Sequence, residues 1–220
     1  MKYRSVFDII GPIMVGPSSS HTAGAARIGL MAGKLFGEQP TDITITFYGS
    51  FADTYRGHGT DVAIIGGVLG YDTFDDRIPE SIKIAEQQGI RIHFETSEAL
   101  TDHPNTARVH LTDGQAEFEL VGISIGGGTI EITELNGVPL RLSGGGPALI
   151  VLHHDRFGAI AAVTSILADY EINIGHMEVS RHEKGKQALM AIEIDDRMPT
   201  AVLEEINRLP QVERSVMMGE

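Results

Sequence analysis

The apolar positions of the chain change their period several times, and each change marks an element. Near the C-terminal end, "ALIVLHH" is a continuous apolar run rich in strand formers. In "GAIAAVTSILADYE", Ile160, Val163, Ile166 and Leu167 fall at helical spacing and define one face of an amphipathic helix. "INIGHMEVSR" and "QALMAIEID" alternate apolar and polar residues around "HEKGK", a hairpin pattern. "PTAVLEEINRLP" takes a proline at an early helical position and stops before Pro210, and "QVERSVMM" reads as a closing strand. The order β-α-β-β-α-β is the split βαβ of ferredoxin-like folds.

The earlier part of the chain predicts a mixed domain. "TAGAARIGLMAGKLFG" reads as a helix with a small-residue face, which lets another segment approach its backbone closely. "DITITFYGS" is a predicted strand. "TDVAIIGGVLG" is a predicted helix with a glycine break, and "PESIKIAEQQG" a helix ending at a C′ glycine, Gly89. "IRIHFE", "ARVHLTD", "QAEFELVGISIGGG" and "TIEITELNG" read as strands, with turn signals at Asp113-Gly114 and Asn136-Gly137. The expected fold class is therefore α+β, with an antiparallel-looking second half. The run Gly144-Gly145-Gly146-Pro147 is strong punctuation, so the expected domains are 1–146 and 147–220.

Composition narrows the possible partners. The chain has 220 residues, 42% hydrophobic and 21% charged, which is ordinary for a protein with a real core. Its net charge of -13 argues against nucleic acid or an anionic membrane surface as partner, since both need basic patches. It has no cysteine, which excludes disulfides, thiol nucleophiles and any cysteine-held zinc or iron–sulfur cluster in this chain. "MKYRSVFDIIGP" has too short an apolar run for a signal peptide, and no apolar run spans a bilayer; a cytoplasmic protein is expected.

Three polar stretches can carry chemistry. "VGPSSSHTAG" sets Ser18, Ser19 and Ser20 before a predicted helix, followed by His21 and Thr22. One serine suffices as an N-cap; a helix start also offers free N–H groups and a positive dipole end to a carboxylate or phosphate. His21 would sit beside such an anion, with its neutral form favoured. The plain alternative is a polar cap with an exposed histidine. "GSFADTYRGHGTD" follows a strand and precedes a helix that Thr60 or Asp61 can cap, with glycines flanking His58; taken alone it is a glycine-rich turn, and it lacks the P-loop ending. "TDHPNT" taken alone is a turn. The nine histidines show no metal-binding spacing, and His93 and His110 sit in strand patterns. In the second part, Asp155 and Asn173 lie where the first strand ends and the second begins, so His153, Asp155 and Asn173 can bind a small amino acid; the plain alternative is a helix cap and a loop contact.

"GPSSSHTAGAARIG", "YGSFADTYRGHGTD" and "HPNT", in this order, resemble the β chain of the iron–sulfur-dependent bacterial L-serine dehydratases, also called L-serine deaminases. "HHDRFGAIAAVTSILADYEINIGHMEVSR" resembles an ACT domain, an amino-acid-sensing module. Together these cover nearly the whole chain. The N-terminal part is similar to the extra substrate-binding domain of some phosphoglycerate dehydrogenases, which also carry an ACT domain. The resemblance implies conversion of L-serine to pyruvate and ammonia by a [4Fe-4S] cluster that binds the substrate hydroxyl as a Lewis acid. The cluster cysteines belong to an α subunit, so a cysteine-free β chain would complete that subunit's active site and be inactive alone. The implied site residues are His21 for substrate orientation or proton transfer, Ser18, Ser19, Ser20 and Thr22 for the substrate carboxylate, and His58, Thr60 and Asp61 as a second set lining or supporting the same interface.

In the ACT part, His153 and Asn173 match positions of the serine-sensing dehydrogenases, while Asp155 replaces an asparagine and Phe157 a proline. An aspartate there repels a carboxylate or pairs with an ammonium group. Homodimerisation through the ACT or the N-terminal domain is also expected. Two other readings stand beside the dehydratase. One is a free-standing amino-acid-binding regulator, which explains the ACT pattern but not "SSSHT" with "GHGTD". The other is a hydrolase using a Ser–His pair, which lacks an orienting acid in the sequence pattern.

Overall fold

The computed structural model describes residues 13–143, 147–181, 183–195 and 198–218. By its internal contacts the chain divides into two units, at Asn136/Gly137. The glycine run 144–146, where the sequence pattern puts the boundary, and the N-terminal segment lie outside the described residues.

In the first unit, a π-helical turn, Ser19–Ala23, runs into helix α1, Gly24–Phe36. The sequence pattern predicts a single regular helix here; the extra residue per turn at its start is a local departure. Ile28, Ala32 and Leu35 lie on one face of α1 and are buried. Gly37 ends the helix in the left-handed conformation and its N–H donates to the Gly33 carbonyl at 2.8 Å. Strand β1, Asp42–Tyr48, buries Ile43, Ile45 and Phe47 on alternate positions.

The next stretch corrects the sequence reading. "GSFADT" is not a glycine-rich turn but a short helix, α2, Gly49–Thr54, held by the burial of Phe51 against Phe47, ring centroids 6.2 Å apart. Helix α3 follows, Thr60–Val68, and it is unbroken through Gly66 and Gly67 where a break is predicted. Gly67 serves close packing instead, together with Gly29 of α1. A Cβ on Gly67 would lie 2.0 Å from the Ala26 carbonyl oxygen, and one on Gly29 would lie 2.0 Å from that of Ile64. The small-residue face of α1 thus receives α3 backbone to backbone.

A 3₁₀ turn, Ile78–Glu80, leads into α4, Ser81–Gln87. Then come β2, Arg91–Ser97; β3, Thr106–Thr112; β4, Glu117–Gly126; and β5, Thr129–Leu135. Among the strands of this unit the order is β2-β1-β3-β4-β5. β1 and β2 are parallel, with Ile45 opposite Phe94; the pairs from β1–β3 onward are antiparallel. The helical segment between β1 and β2 is the crossover that a parallel pair needs. The core lies between this sheet and the helices: Ile28 of α1 sits where a side chain on Gly122 of β4 would be, 3.0 Å from its would-be Cβ.

The second unit opens with β6, Val138–Ser143, after the Asn136-Gly137 turn, where both residues have positive φ as a two-residue hairpin requires. Then follow β7, Ala148–His154; α5, Ala159–Asp169; β8, Ile174–Arg181; β9, Gln187–Ile194; α6, Thr200–Asn207; and β10, Val212–Met218. The β7–β10 sheet has the order β10-β7-β9-β8 and is antiparallel throughout, which is the ferredoxin-like arrangement predicted from the sequence. Its core joins Leu149 and Val151 of β7, Val163 and Leu167 of α5, Met190 and Ile192 of β9 and Val202 and Ile206 of α6.

Candidate active site

Two of the three polar stretches of the first unit meet at the start of α1, and the third packs on the start of α2. Ser18 acts as the N-cap: its Oγ accepts the His21 backbone N–H at 3.1 Å. Its carbonyl also accepts the N–H groups of Thr22 and Ala23, and the bond from Ala23, five residues on, closes the wide π turn. The cap predicted from the sequence is therefore present, and it also aims the His21 ring.

That ring is held at both nitrogens. Nδ1 lies 3.0 Å from Ser20 Oγ and Nε2 lies 3.0 Å from Ser50 Oγ. Ser20 Oγ is 3.3 Å from Ser18 Oγ. Phe51 and His58 stand edge-on to the ring, with centroids at 5.2 and 4.8 Å. Burial, and next the charge of a protonated His58, press the His21 pKa below the usual histidine value. At neutral pH His21 is an uncharged imidazole with one donor and one acceptor nitrogen.

Thr22 is buried, and its hydroxyl donates to the His58 carbonyl at 3.0 Å, which ties the first stretch to the second. His58 Nδ1 is buried without a hydrogen-bond partner. Neither Thr60 nor Asp61 caps α3 in the predicted way. The capping position is Gly59, with φ +64 and no side-chain cap. Thr60 is buried and its Oγ1 has no partner. Asp61 Oδ1 accepts the adjacent Val62 N–H at 2.9 Å. Burial raises the Asp61 pKa, against the lowering effect of backbone N–H groups and Arg56.

The third stretch is more than a turn. The Pro104 carbonyl accepts the Phe51 N–H at 3.4 Å, and Gly49, at φ +51, lies so close that a Cβ would be 2.7 Å from that oxygen. Asn105 Nδ2 donates to the Ser124 carbonyl at 3.3 Å, and His103 Nδ1 accepts the Asn105 N–H at 3.1 Å. "HPNT" thereby fixes the start of α2, and α2 carries Ser50. Ser50 and Phe51 were not among the sequence candidates. Their signal was positional: they sit where a central strand ends and a helix begins.

In the second unit the candidate residues are each engaged. His153 is 2% exposed; Nδ1 is 2.9 Å from the His154 carbonyl oxygen, while Nε2 is buried and unpartnered. Asp155 accepts the Gly185 N–H at 2.9 Å and an Arg181 guanidinium N–H at 2.5 Å, and these hold its carboxyl below the usual range. Asp155 does not cap α5, whose capping position is Gly158. Asn173 lies just ahead of β8 and donates to Asp195 Oδ2 at 2.5 Å.

A [4Fe-4S] cluster does not fit this chain. It has no cysteine, and among the described residues no group of three or more His, Asp or Glu side chains is placed to hold a metal ion. No described helix is long and apolar enough to cross a membrane.

Fold and site together define a two-part α+β protein: a domain with a polar cluster at a helix start, followed by a ferredoxin-like domain. The family description "Serine dehydratase beta chain" matches residues 5–134, and "ACT domain" matches residues 148–211. The chain belongs to the serine dehydratase beta chain family. It is 60% identical over 212 residues to the "Probable L-serine dehydratase, beta chain" of Bacillus subtilis, covering 96% of each chain. It is 36% identical over 194 residues to the "L-serine dehydratase, beta chain" of Peptoniphilus asaccharolyticus, 87% of each. Over 188 residues it is 28% identical to a D-3-phosphoglycerate dehydrogenase of Synechocystis, spanning 84% of this chain but only 34% of that one.

Proposed function

We propose that this chain is the β subunit of an L-serine dehydratase and completes the active site of a cysteine-bearing α subunit, in the conversion of L-serine to pyruvate and ammonia. The observation that carries this reading is the cluster around His21, which draws together two of the stretches that resemble the family, with "HPNT" fixing the helix that carries Ser50. In this reading the [4Fe-4S] cluster belongs to the α subunit, since this chain offers it no ligands.

The chain's own part is binding and proton handling. Ser18, Ser19 and Ser20 receive the substrate carboxylate at a helix start, where hydroxyl and backbone donors and the helix dipole favour an anion. Neutral His21 takes part in proton transfer, a role that contributes about 10²–10⁴-fold in rate. Thr22, expected to bind that carboxylate as well, is buried and its hydroxyl is spent on the His58 carbonyl, so it ties the His21 turn to the second stretch; His58, Thr60 and Asp61 line or support the same interface. In the second unit His153, Asp155 and Asn173 bind a small amino acid, supported by the unpartnered His153 Nε2. Two copies of the chain associate through the ACT or the N-terminal domain, and the enzyme works in the cytoplasm.

The test is anaerobic co-expression with a cysteine-bearing α subunit and a pyruvate assay on L-serine. His21→Ala is expected to lower kcat by about 100-fold while the complex still forms. A native complex with an intact cluster that yields no pyruvate would overturn the reading and leave an amino-acid-binding regulator.

A further inference from the structure

Both nitrogens of the His21 ring are hydrogen-bonded: Ser20 occupies Nδ1 and Ser50 occupies Nε2, each at 3.0 Å. Beyond Ser20 stands Ser18, 3.3 Å away, whose Oγ already accepts the His21 backbone N–H. A neutral ring has one N–H and one lone pair, so the hydrogens can be placed in two ways. In the first, Ser18 donates to Ser20, Ser20 to Nδ1, and Nε2–H to Ser50; the Ser50 hydroxyl hydrogen is then free. In the second every bond is reversed: Ser50 donates to Nε2, Nδ1–H to Ser20, and Ser20 to Ser18, whose hydroxyl hydrogen is free. Both make the same hydrogen bonds and differ in which end carries the free O–H.

We propose that Ser50, His21, Ser20 and Ser18 form a proton relay, and that Ser50 is the positioning residue through which His21 Nε2 exchanges its proton. The substrate in this proposal rests on the dehydratase reading; the geometry does not. A carboxylate bound at Ser18 takes that free O–H as a donor and selects the second arrangement. Ser50 Oγ then turns its lone pairs away from the ring and accepts a proton from an acid at that end, whose bond to hydrogen breaks and whose electron pair stays behind. As its new O–H bond forms, its old one breaks and that proton passes to Nε2. The Nδ1 proton passes to Ser20, the Ser20 proton to Ser18, and the Ser18 proton to the carboxylate oxygen that it already bonds, and from there to water. One proton enters and one leaves, the ring ends neutral in its other tautomer, and no oxidant or reductant is required.

Two readouts test this. In the αβ complex, Ser50→Ala is expected to lower kcat about 100-fold with KM within about threefold, and Ser50→Thr, which keeps the hydroxyl, to return kcat to within about fivefold of native. In the free full-length chain, diethyl pyrocarbonate, which attacks an unoccupied imidazole nitrogen, is expected to modify His21 about fivefold faster in Ser50→Ala than in native, the factor expected for one lost hydrogen bond. Peptide mass mapping separates His21 from the other histidines. Native kcat in Ser50→Ala overturns the relay, and so does an unchanged modification rate at His21. Should Ser50→Ala fail to fold by circular dichroism, Ser50→Cys replaces it, with its weakly donating thiol and the same two criteria. A native complex that makes no pyruvate overturns the dehydratase reading, and the modification rate in the free chain then decides the relay by itself.

Discussion

Replacing Gly67 with alanine tests whether backbone contact sets the distance between α1 and α3. The new Cβ would lie 2.0 Å from the Ala26 carbonyl oxygen and 2.6 Å from the Leu30 nitrogen, neither of which can rotate away. Reaching the 3.0 Å at which real contacts begin requires the helices to part by about 1 Å at this point. A gap of that size forfeits about a quarter to a half of each van der Waals well it opens, and overpacking of this kind costs about 1–3 kcal/mol. Alanine also gains about 1 kcal/mol of helix propensity over glycine, which opposes the clash. Gly66→Ala separates the two effects. Its Cβ would lie 3.1 Å from Ile78 Cγ1, a side-chain atom that can move. Both variants share the propensity gain, so their difference reports the clash. Gly67→Ala is expected to be about 2 kcal/mol less stable than Gly66→Ala in urea titrations followed by circular dichroism, or about 4–8 °C lower in Tm. In the αβ complex it should also lose more activity, because parting the helices moves His21, at the start of α1, away from His58, at the start of α3. Two variants agreeing within about 0.5 kcal/mol would refute the backbone-contact account.

Three further outcomes are expected. The His21 ring should titrate below the ordinary histidine value of about 6.5 in NMR spectra of the free chain. The unfolded chain then binds this proton more readily, so the His21 contribution to stability is constant above pH ~6.5 and falls as pH drops towards the folded pKa. His58→Asn should raise the midpoint only partway, since burial is the larger cause; a native midpoint at or above 6.5 would contradict the site's electrostatics. Leu167→Ala removes a fully buried side chain from the core of the second unit and should cost about 2–5 kcal/mol with an unchanged urea m value; a loss under 1 kcal/mol would contradict its packing. L-Serine titrated calorimetrically into the free chain should bind, and Asn173→Ala should weaken binding at least about fivefold; absence of heat in the native chain would remove the proposed ligand site of the second unit.

The site was only partly legible in the sequence. "SSSHT" announced a cap and a histidine, and both are where the pattern put them. Ser50 was hidden because its partner is 29 positions away in the chain, and no local pattern carries that distance. "GSFADT" read as a loop because its glycine and small polar residues favour turns; the burial of Phe51 against Phe47 outweighs that preference. Gly66-Gly67 read as a break because glycine is a poor helix former in isolation. Beside Ala26 and Leu30 it is a residue small enough for α1 to lie where it does.

What the sequence determined by itself was the periodic part: the βαββαβ order from β7 to β10, the strands of the first unit, the turn at Asn136-Gly137, the N-cap at Ser18, and, through the absence of cysteine, that any iron–sulfur cluster must be held elsewhere. These follow from contacts within a few residues, where spacing and side-chain type decide the outcome. Tertiary structure alone decided that α1 and α3 touch through glycine, that "HPNT" anchors the start of α2, and that His21 lies between two serines from different elements. Those facts depend on which surfaces of distant segments are buried together, and burial is a property of the folded whole.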